Sequence, residues 1–302
     1  MLNYQANLIF QSIHLINQRT MKRILPISVI SAVLTILLTG ISSTLNSQEI
    51  SLKYNYPADK GVQYVLTSTM AQVMDVQGQT MQTDVSSVFG CSVKSAGNQN
   101  GNIAVEVTVD TLGQITSSPM GGSGGSVAGI KGKSCKLIIT PDGKVIDLTG
   151  AETVTFNVEG SGESNLSSSL GDFFPRLPLT AVKAGETWTY TDSTITKTPT
   201  TNMKVTDVAE NKIEGVELID GIECARIKST HTGVMTMALQ AQGMDIFIKG
   251  PYTGTSECIF AVKEGYFLNL KSATFVKGTL DLPSMGMNMP ITMDMKSECV
   301  GK

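Results

Sequence analysis

Along most of the chain, apolar and polar side chains alternate. From Met285 to Met295 the odd positions read Met285, Met287, Met289, Ile291, Met293 and Met295, and the even ones Gly286, Asn288, Pro290, Thr292 and Asp294. A period of two puts the first set on one face of a β-strand and the second on the other. At ~3.3 Å per residue the segment spans roughly 36 Å, which predicts a long strand in a curved sheet, bent or broken near Pro290. Ile103, Val105, Val107 and Val109 alternate in the same way with Ala104, Glu106, Thr108 and Asp110. Val62, Tyr64, Leu66, Met70, Met74 and Val76 share one phase, interrupted by Ser68 and Gln72. A turn at Gly78 then leads into Met81, Val85, Phe89, Cys91 and Val93, so this region predicts a hairpin. A second hairpin is predicted where residues 135–140 and 144–148 flank Pro141-Asp142-Gly143. Proline pre-sets φ there and glycine accepts a left-handed position.

Further strands are expected at 188–194, 203–208, 222–229, 234–240, 244–248, 257–263 and 265–270. Residues 120–132 and 159–164 are rich in Gly and Ser and read as loops, the first of them mobile. Leu166, Leu170, Phe173, Phe174 and Leu177 fall at helical spacing, predicting one or two helical turns that end before Pro175. Strands this numerous with one helix exclude a parallel βαβ architecture. The expected fold is mostly β, with long antiparallel strands in a curved meander, half-barrel or barrel and one short helix.

Lys22 and Arg23 precede an apolar run over 24–40, followed by Ser42, Ser43, Thr44 and Ser47, the layout of a secretory signal peptide over 1–47. Met21 directly before the basic pair is an alternative start. The remaining 48–302 then forms either one antiparallel domain or two lobes, 48–150 and 180–302, joined by 151–179. Removal of the leader implies a periplasmic or extracellular protein with no stable membrane span.

Charge narrows the partners. Of 302 residues, 23 are Lys or Arg and 26 Asp or Glu, and beyond residue 47 the balance is 20 basic against 26 acidic. With Arg176 and Arg226 as the arginines of that region, the chain is poorly equipped to grip phosphates, so nucleic acid is not an expected partner. Five cysteines remain, and Glu223-Cys224, Glu257-Cys258 and Glu298-Cys299 share a local pattern. Equivalent positions on neighbouring strands would explain it, which makes Cys224 with Cys258 the first choice for a disulfide in an oxidising compartment. Small buried thiols in a sheet are the alternative.

The stretches Val62-Gln63-Tyr64-Val65-Leu66, Leu137 to Val145 around Pro141-Asp142-Gly143, Phe174-Pro175-Arg176-Leu177-Pro178 and Ala184-Gly185-Glu186-Thr187-Trp188 resemble an uncharacterised family of exported bacterial β-rich proteins. The likeness covers most of the chain beyond the leader. It implies export and β architecture and carries over no catalytic residue. By architecture only, long antiparallel strands with a short apolar helix resemble the half-barrel of bacterial lipoprotein carriers, in which helices lid a greasy groove.

Motifs for catalysis do not survive their context. Gly132-Lys133-Ser134 ends like a phosphate-binding loop, but Val127 stands where its first glycine belongs and a strand follows. Gly121-Gly122-Ser123-Gly124-Gly125 spells a nucleophile elbow without the strand-to-helix turn that makes one work. His231, the histidine beyond the leader, sits between Thr230 and Thr232 as an ordinary strand residue would. No catalytic residue, metal ligand or cofactor is therefore assigned. Thirteen methionines lie beyond residue 47. Core filling, an adaptable apolar groove and thioether-held copper(I) compete to explain them. The functional expectation is a non-enzymatic carrier for an apolar, lipid-like molecule. Its binding face would be Met285, Met287, Met289, Met293, Met295, Met235, Met237, Met70 and Met74, with a lid from Leu166, Leu170, Phe173 and Phe174. The alternative is a structural or interaction protein of the cell envelope with no small ligand.

Overall fold

A computed structural model describes residues 49–302 apart from 77, 120, 159–161 and 242. The expected signal segment and the alternative start at Met21 lie outside the described residues. The architecture is an antiparallel, curled half-barrel sheet with a couple of short helices. Its strands are β1 (Val62–Val76), β2 (Gln79–Gln99), β3 (Asn102–Ser118), β4 (Gly121–Ser126), β5 (Ser134–Ile139), β6 (Val145–Asp147), β7 (Thr155–Val158), β8 (Gly162–Asn165), β9 (Thr187–Lys197), β10 (Thr201–Ile219), β11 (Ile222–Ala241), β12 (Met244–Ala261), β13 (Tyr266–Leu282) and β14 (Met287–Gly301). The helices are α1 (Thr149–Glu152) and α2 (Ser167–Leu170). The main sheet runs β6-β5-β3-β2-β1-β14-β13-β12-β11-β10-β9, with β4 added beside β3, while β7 and β8 pair separately.

Every main-sheet pairing is antiparallel, and the pairings between consecutive long strands follow from the tight turns that join them. Asn100-Gly101 and Asp220-Gly221 both adopt positive φ, 51° and 81° in the first turn and 51° and 82° in the second. These are the two-residue turns whose twist matches that of the strands they join. The first and last strands in sequence order pair with each other inside the sheet, where Met70 on β1 faces Met295 on β14 and Leu66 faces Cys299.

Several expectations need correction. The methionine strand begins at Met287, because Pro283–Met285 forms a 3-10 turn and Gly286 a left-handed corner with φ 62°. It continues unbroken through Pro290, which lies past Ile291, the last residue paired with β1, so its missing N–H interrupts no bond on that side. The Gly/Ser-rich stretch expected as a loop contains β4, with Gly121 opposite Ser118 and Ser126 opposite Gly113. Strands expected at 222–229 and 234–240 are one strand, β11, and those at 244–248 and 257–263 are joined in β12. All five cysteines are free and buried. Cys224 lies opposite Ala261, and Cys258 opposite Ile227, so the proposed bridge fails on register. Cys258 and Cys299 do hold equivalent places, each facing Leu270 of β13 from opposite sides.

One face of the sheet is the inner one, and the register arranges it in rows. A row of small polar residues crosses seven strands as Ser87, Ser68, Ser297, Ser272, Ser256, Ser229 and Asn211. Hydroxyl pairs tie it together: Ser68 Oγ to Ser87 Oγ at 2.7 Å, Ser272 Oγ to Ser297 Oγ at 2.8 Å, and Ser229 Oγ donating to Asn211 Oδ1 at 2.6 Å. The row divides two apolar clusters. The larger joins the helical segment to the sheet, and within it Tyr64 stacks on Phe267 at 4.5 Å and meets Phe173 edge-on at 5.3 Å. The smaller is built on Met235, Ile248, Val276, Leu280, Met289, Ile291 and Met293.

Candidate functional site: a groove on the inner face

Between the clusters the inner face opens into a groove of about 520 Å³. Sheet residues supply one side, and Gly171, Asp172, Phe174, Pro175 and Arg176 bound the other. A second cavity of about 410 Å³ adjoins it, sharing Gly171, Asp172, Met203, Leu270 and Ser272. The volume has a local cause. In the three inner-face rows on one side of the serine row stand Gly254, Gly233, Gly250 and Gly278, which carry no side chain. Gly233, Gly250 and Gly278 cannot take one: a Cβ on Gly278 would lie 2.4 Å from the Lys249 carbonyl oxygen, and one on Gly233 1.9 Å from that of Thr206, whereas one on Gly254 would sit at a tight 3.1 Å from the Ala273 carbonyl oxygen. The opposite face of the sheet bears a broader open depression of about 1,100 Å³ along the same row, lined by solvent-facing threonines and by lysines and glutamates of mixed sign.

The groove has two unlike walls. One is thioether-rich: Met70, Met293, Met295, Met235, Met237 and Met203, with Val205 and Val276. Of the methionines expected to bind, Met70, Met235, Met237, Met293 and Met295 line the groove. Met74, Met287 and Met289 lie farther along the same apolar cluster, outside the lining. Met285 is 57% exposed in the turn before β14 and belongs to neither. The four residues expected as a lid are buried in the larger cluster. Phe174 reaches the groove and Phe173 the adjoining cavity, whereas Leu166 and Leu170 line neither.

The other wall is polar and comes from β9 to β12. Asp207, Gly233 and Tyr252 are in register on three successive strands. With glycine between them, the Tyr252 ring lies over the β11 backbone, and its hydroxyl donates to Asp207 Oδ1 at 2.6 Å. His231 sits diagonally between: its Nδ1 is 2.9 Å from Asp207 Oδ2 and its Nε2 3.1 Å from Ser256 Oγ. Burial and the neighbouring Asp207 carboxylate push the Tyr252 phenol well up, so it remains a donor. Asp172 accepts from Thr194 Oγ1 at 2.9 Å, and the protein crowded around it raises its carboxyl despite that bond, with Asp192 and Asp207 adding to the effect.

A charged corner closes one end. Arg176 Nη2 lies 2.6 Å from Asp142 Oδ2, and its Nη1 pairs with Asp192. Lys144 Nζ is 2.8 Å from the other Asp192 oxygen, and the guanidinium lies 5.2 Å from the centre of the Tyr190 ring. Burial would raise the Asp192 carboxyl, but bonds from Lys144 and the Ser193 N–H and the charges of Lys144 and Arg176 outweigh it and hold it low. The two cations and two carboxylates of this corner neutralise one another.

Ser256, His231 and Asp207 are linked as a serine, a base and an orienting carboxylate would be. Acyl transfer also needs N–H donors aimed at a developing oxyanion. Ser256 lies inside β12, paired to Ser229 on one side and Ser272 on the other, so its backbone is committed to the sheet. Among the described residues there is no group of three or more His, Cys, Asp or Glu side chains that could hold a metal ion. The wall offers hydrogen-bond donors and acceptors to a ligand in the groove.

Of these polar residues, sequence reasoning weighed His231 and set it aside as an ordinary strand residue, and it did not single out Asp172, Asp207, Tyr252 or Ser256. A signal was present: Ser-Glu-Cys occurs at 256–258 and again at 297–299, marking the serine row on two strands. No protein-family profile and no curated protein matches the chain. Among solved structures, a DUF1329 family protein from Desulfovibrio piger is similar at 11% identity over 78% of this chain and 84% of that chain, with a TM-score of 0.14. The site is therefore read from its own geometry.

Proposed function

We propose that this is an exported, non-enzymatic binding or carrier protein for an apolar, lipid-like molecule held in the inner-face groove. The observation that carries the reading is the groove itself: about 520 Å³, within the range of small-molecule sites, with methionines along one wall and a few convergent polar groups on the other. Unbranched, polarizable thioethers suit ligands of variable shape. Export rests on the basic pair and apolar run at the start of the sequence, and a mature N-terminus between Ser42 and Glu49 is expected. Among the described residues, no helix is long and apolar enough to cross a membrane.

Titration with N-phenyl-1-naphthylamine, a neutral apolar fluorophore, tests the reading. Saturable binding is expected. Met295→Trp, which fills the groove from β14, should abolish it while far-UV circular dichroism stays unchanged. No binding by the folded wild type, or binding indifferent to Met295→Trp, would refute carriage in this groove and favour an envelope scaffold.

A further inference from the structure

We propose that the polar wall of this groove selects amphiphiles that end in a primary ammonium group, seated at Asp172 beside the Asp207–His231–Tyr252 cluster, over those that end in a carboxylate. The inference rests on the carriage reading and adds the chemistry of the ligand's head.

The argument is a charge balance. Arg176 and Lys144 are the cations lining the groove, and both are spent on carboxylates: Arg176 on Asp142 and Asp192, Lys144 on Asp192. A carboxylate head would find no uncommitted cation there and would stand near Asp172 and Asp207. Both oxygens of Asp207 are occupied, one by Tyr252 and one by His231. Asp172 is different. It receives one hydrogen bond, on Oδ1 from Thr194, and among the described residues no Lys or Arg lies within ion-pair distance of it. Asp172 lines both the groove and the adjoining cavity, its second oxygen receives no hydrogen bond from the described residues, and an –NH3+ group has three donors and no acceptor. The Asp192 and Asp207 charges bear on Asp172 unfavourably, against a smaller favourable effect of His231, so a cation there relieves repulsion as well as filling an empty acceptor. The methionine wall then takes the alkyl chain, continuing past Ser272 into the adjoining cavity.

The test is displacement of N-phenyl-1-naphthylamine by dodecylamine, dodecanol and dodecanoate at neutral pH, each below its critical micelle concentration. Dodecylammonium should displace at least tenfold more effectively than dodecanoate, with dodecanol between them. Asp172→Asn, equal in size, should remove most of the advantage of the amine over the alcohol and leave the alcohol unchanged. Asp294→Asn deletes the same charge from an exposed site. It should leave the order intact, which separates a seat at Asp172 from general attraction to an acidic protein. Asp172→Ser serves as a second variant should Asn at this site fold poorly. Dodecanoate displacing as well as dodecylammonium, or an order unchanged in Asp172→Asn, would overturn the head-group inference while carriage stands. Failure of the fluorophore to bind at all would remove both.

Discussion

Met289 and Asn288 are adjacent, yet the alternation puts them on opposite faces of β14, and a lysine at each should separate those faces. Met289 is 8% exposed in the smaller apolar cluster, opposite Leu280, whereas Asn288 is exposed and opposite Asp281. Met289→Lys loses about 1.5–3 kcal/mol of side-chain burial. It also drives an ammonium toward Leu280, Ile248 and Ile291, a cluster without an acidic member. Partial escape of the long lysine side chain toward the strand end offsets some of that, leaving about 4 kcal/mol of destabilisation in all. For a domain of this length that corresponds to a fall in Tm of roughly 8–16 °C. Asn288→Lys places a cation across from Asp281 and should change stability by about 0.5 kcal/mol or less, in the stabilising direction. Urea and thermal unfolding followed by circular dichroism measure both. Equal losses from the two variants, or a Met289→Lys loss under about 1 kcal/mol, would mean the apolar face of β14 is not packed as described.

Asp172→Asn should raise stability at neutral pH only slightly, because the side chain stays exposed to solvent along the open groove. The folded-state carboxyl is raised, chiefly by the protein around it and then by Asp192 and Asp207, so ionisation costs stability as pH climbs from the ordinary aspartate range through the raised value. The gain from Asn should therefore vanish in acid, and a gain that persisted below the ordinary aspartate range would contradict it. Ser256→Ala and His231→Gln should leave fluorophore affinity within about threefold, since an apolar fluorophore gains its affinity from the methionine wall, and wild-type protein should resist a fluorophosphonate probe. Stoichiometric labelling of Ser256 that disappears in His231→Ala would instead establish an acyl-transfer centre. The five thiols should be silent to a disulfide reagent at pH 8 and all react after unfolding, because burial pushes Cys135 to about 11 and Cys299 to about 12 and shields the others. A native-state mass lowered by 2 Da for each bridge, restored by reductant, would show disulfides instead.

The parts of the fold that local chemistry determines were legible from the sequence. Alternation located β1, β3 and β14, the Pro141-Asp142-Gly143 turn joined β5 to β6, and the spacing of Leu166 and Leu170 marked α2. Register was not legible, because it depends on pairing across the sheet. The serine row, and the diagonal that brings His231 to both Asp207 and Ser256, exist only once β10, β11 and β12 are aligned. The Cys224–Cys258 expectation failed for the same reason: a shared Glu-Cys dipeptide says nothing about which residue stands opposite which.

Besides missing the second half of β10, the strand expectations lapsed at several positions beside the groove. The pattern lapsed at 230–233, where His231 and Gly233 face inward on β11, and at 249–256, where Gly250, Tyr252, Gly254 and Ser256 do so on β12. It stopped at residue 270 just before Ser272, and on β1 it was interrupted at Ser68 and Gln72. Each lapse lies on the inner face across the serine row or the rows beside it. A strand that packs a solid core keeps apolar residues in phase throughout, because an inward polar or missing side chain costs stability unless it meets a partner or opens a space. Here the inward residues do one or the other. Glycines open the volume, and Asp207, His231, Tyr252 and Ser256 satisfy one another along its wall. The broken periodicity was therefore the sequence's record of the groove, readable only after the strands on either side of each gap had been joined.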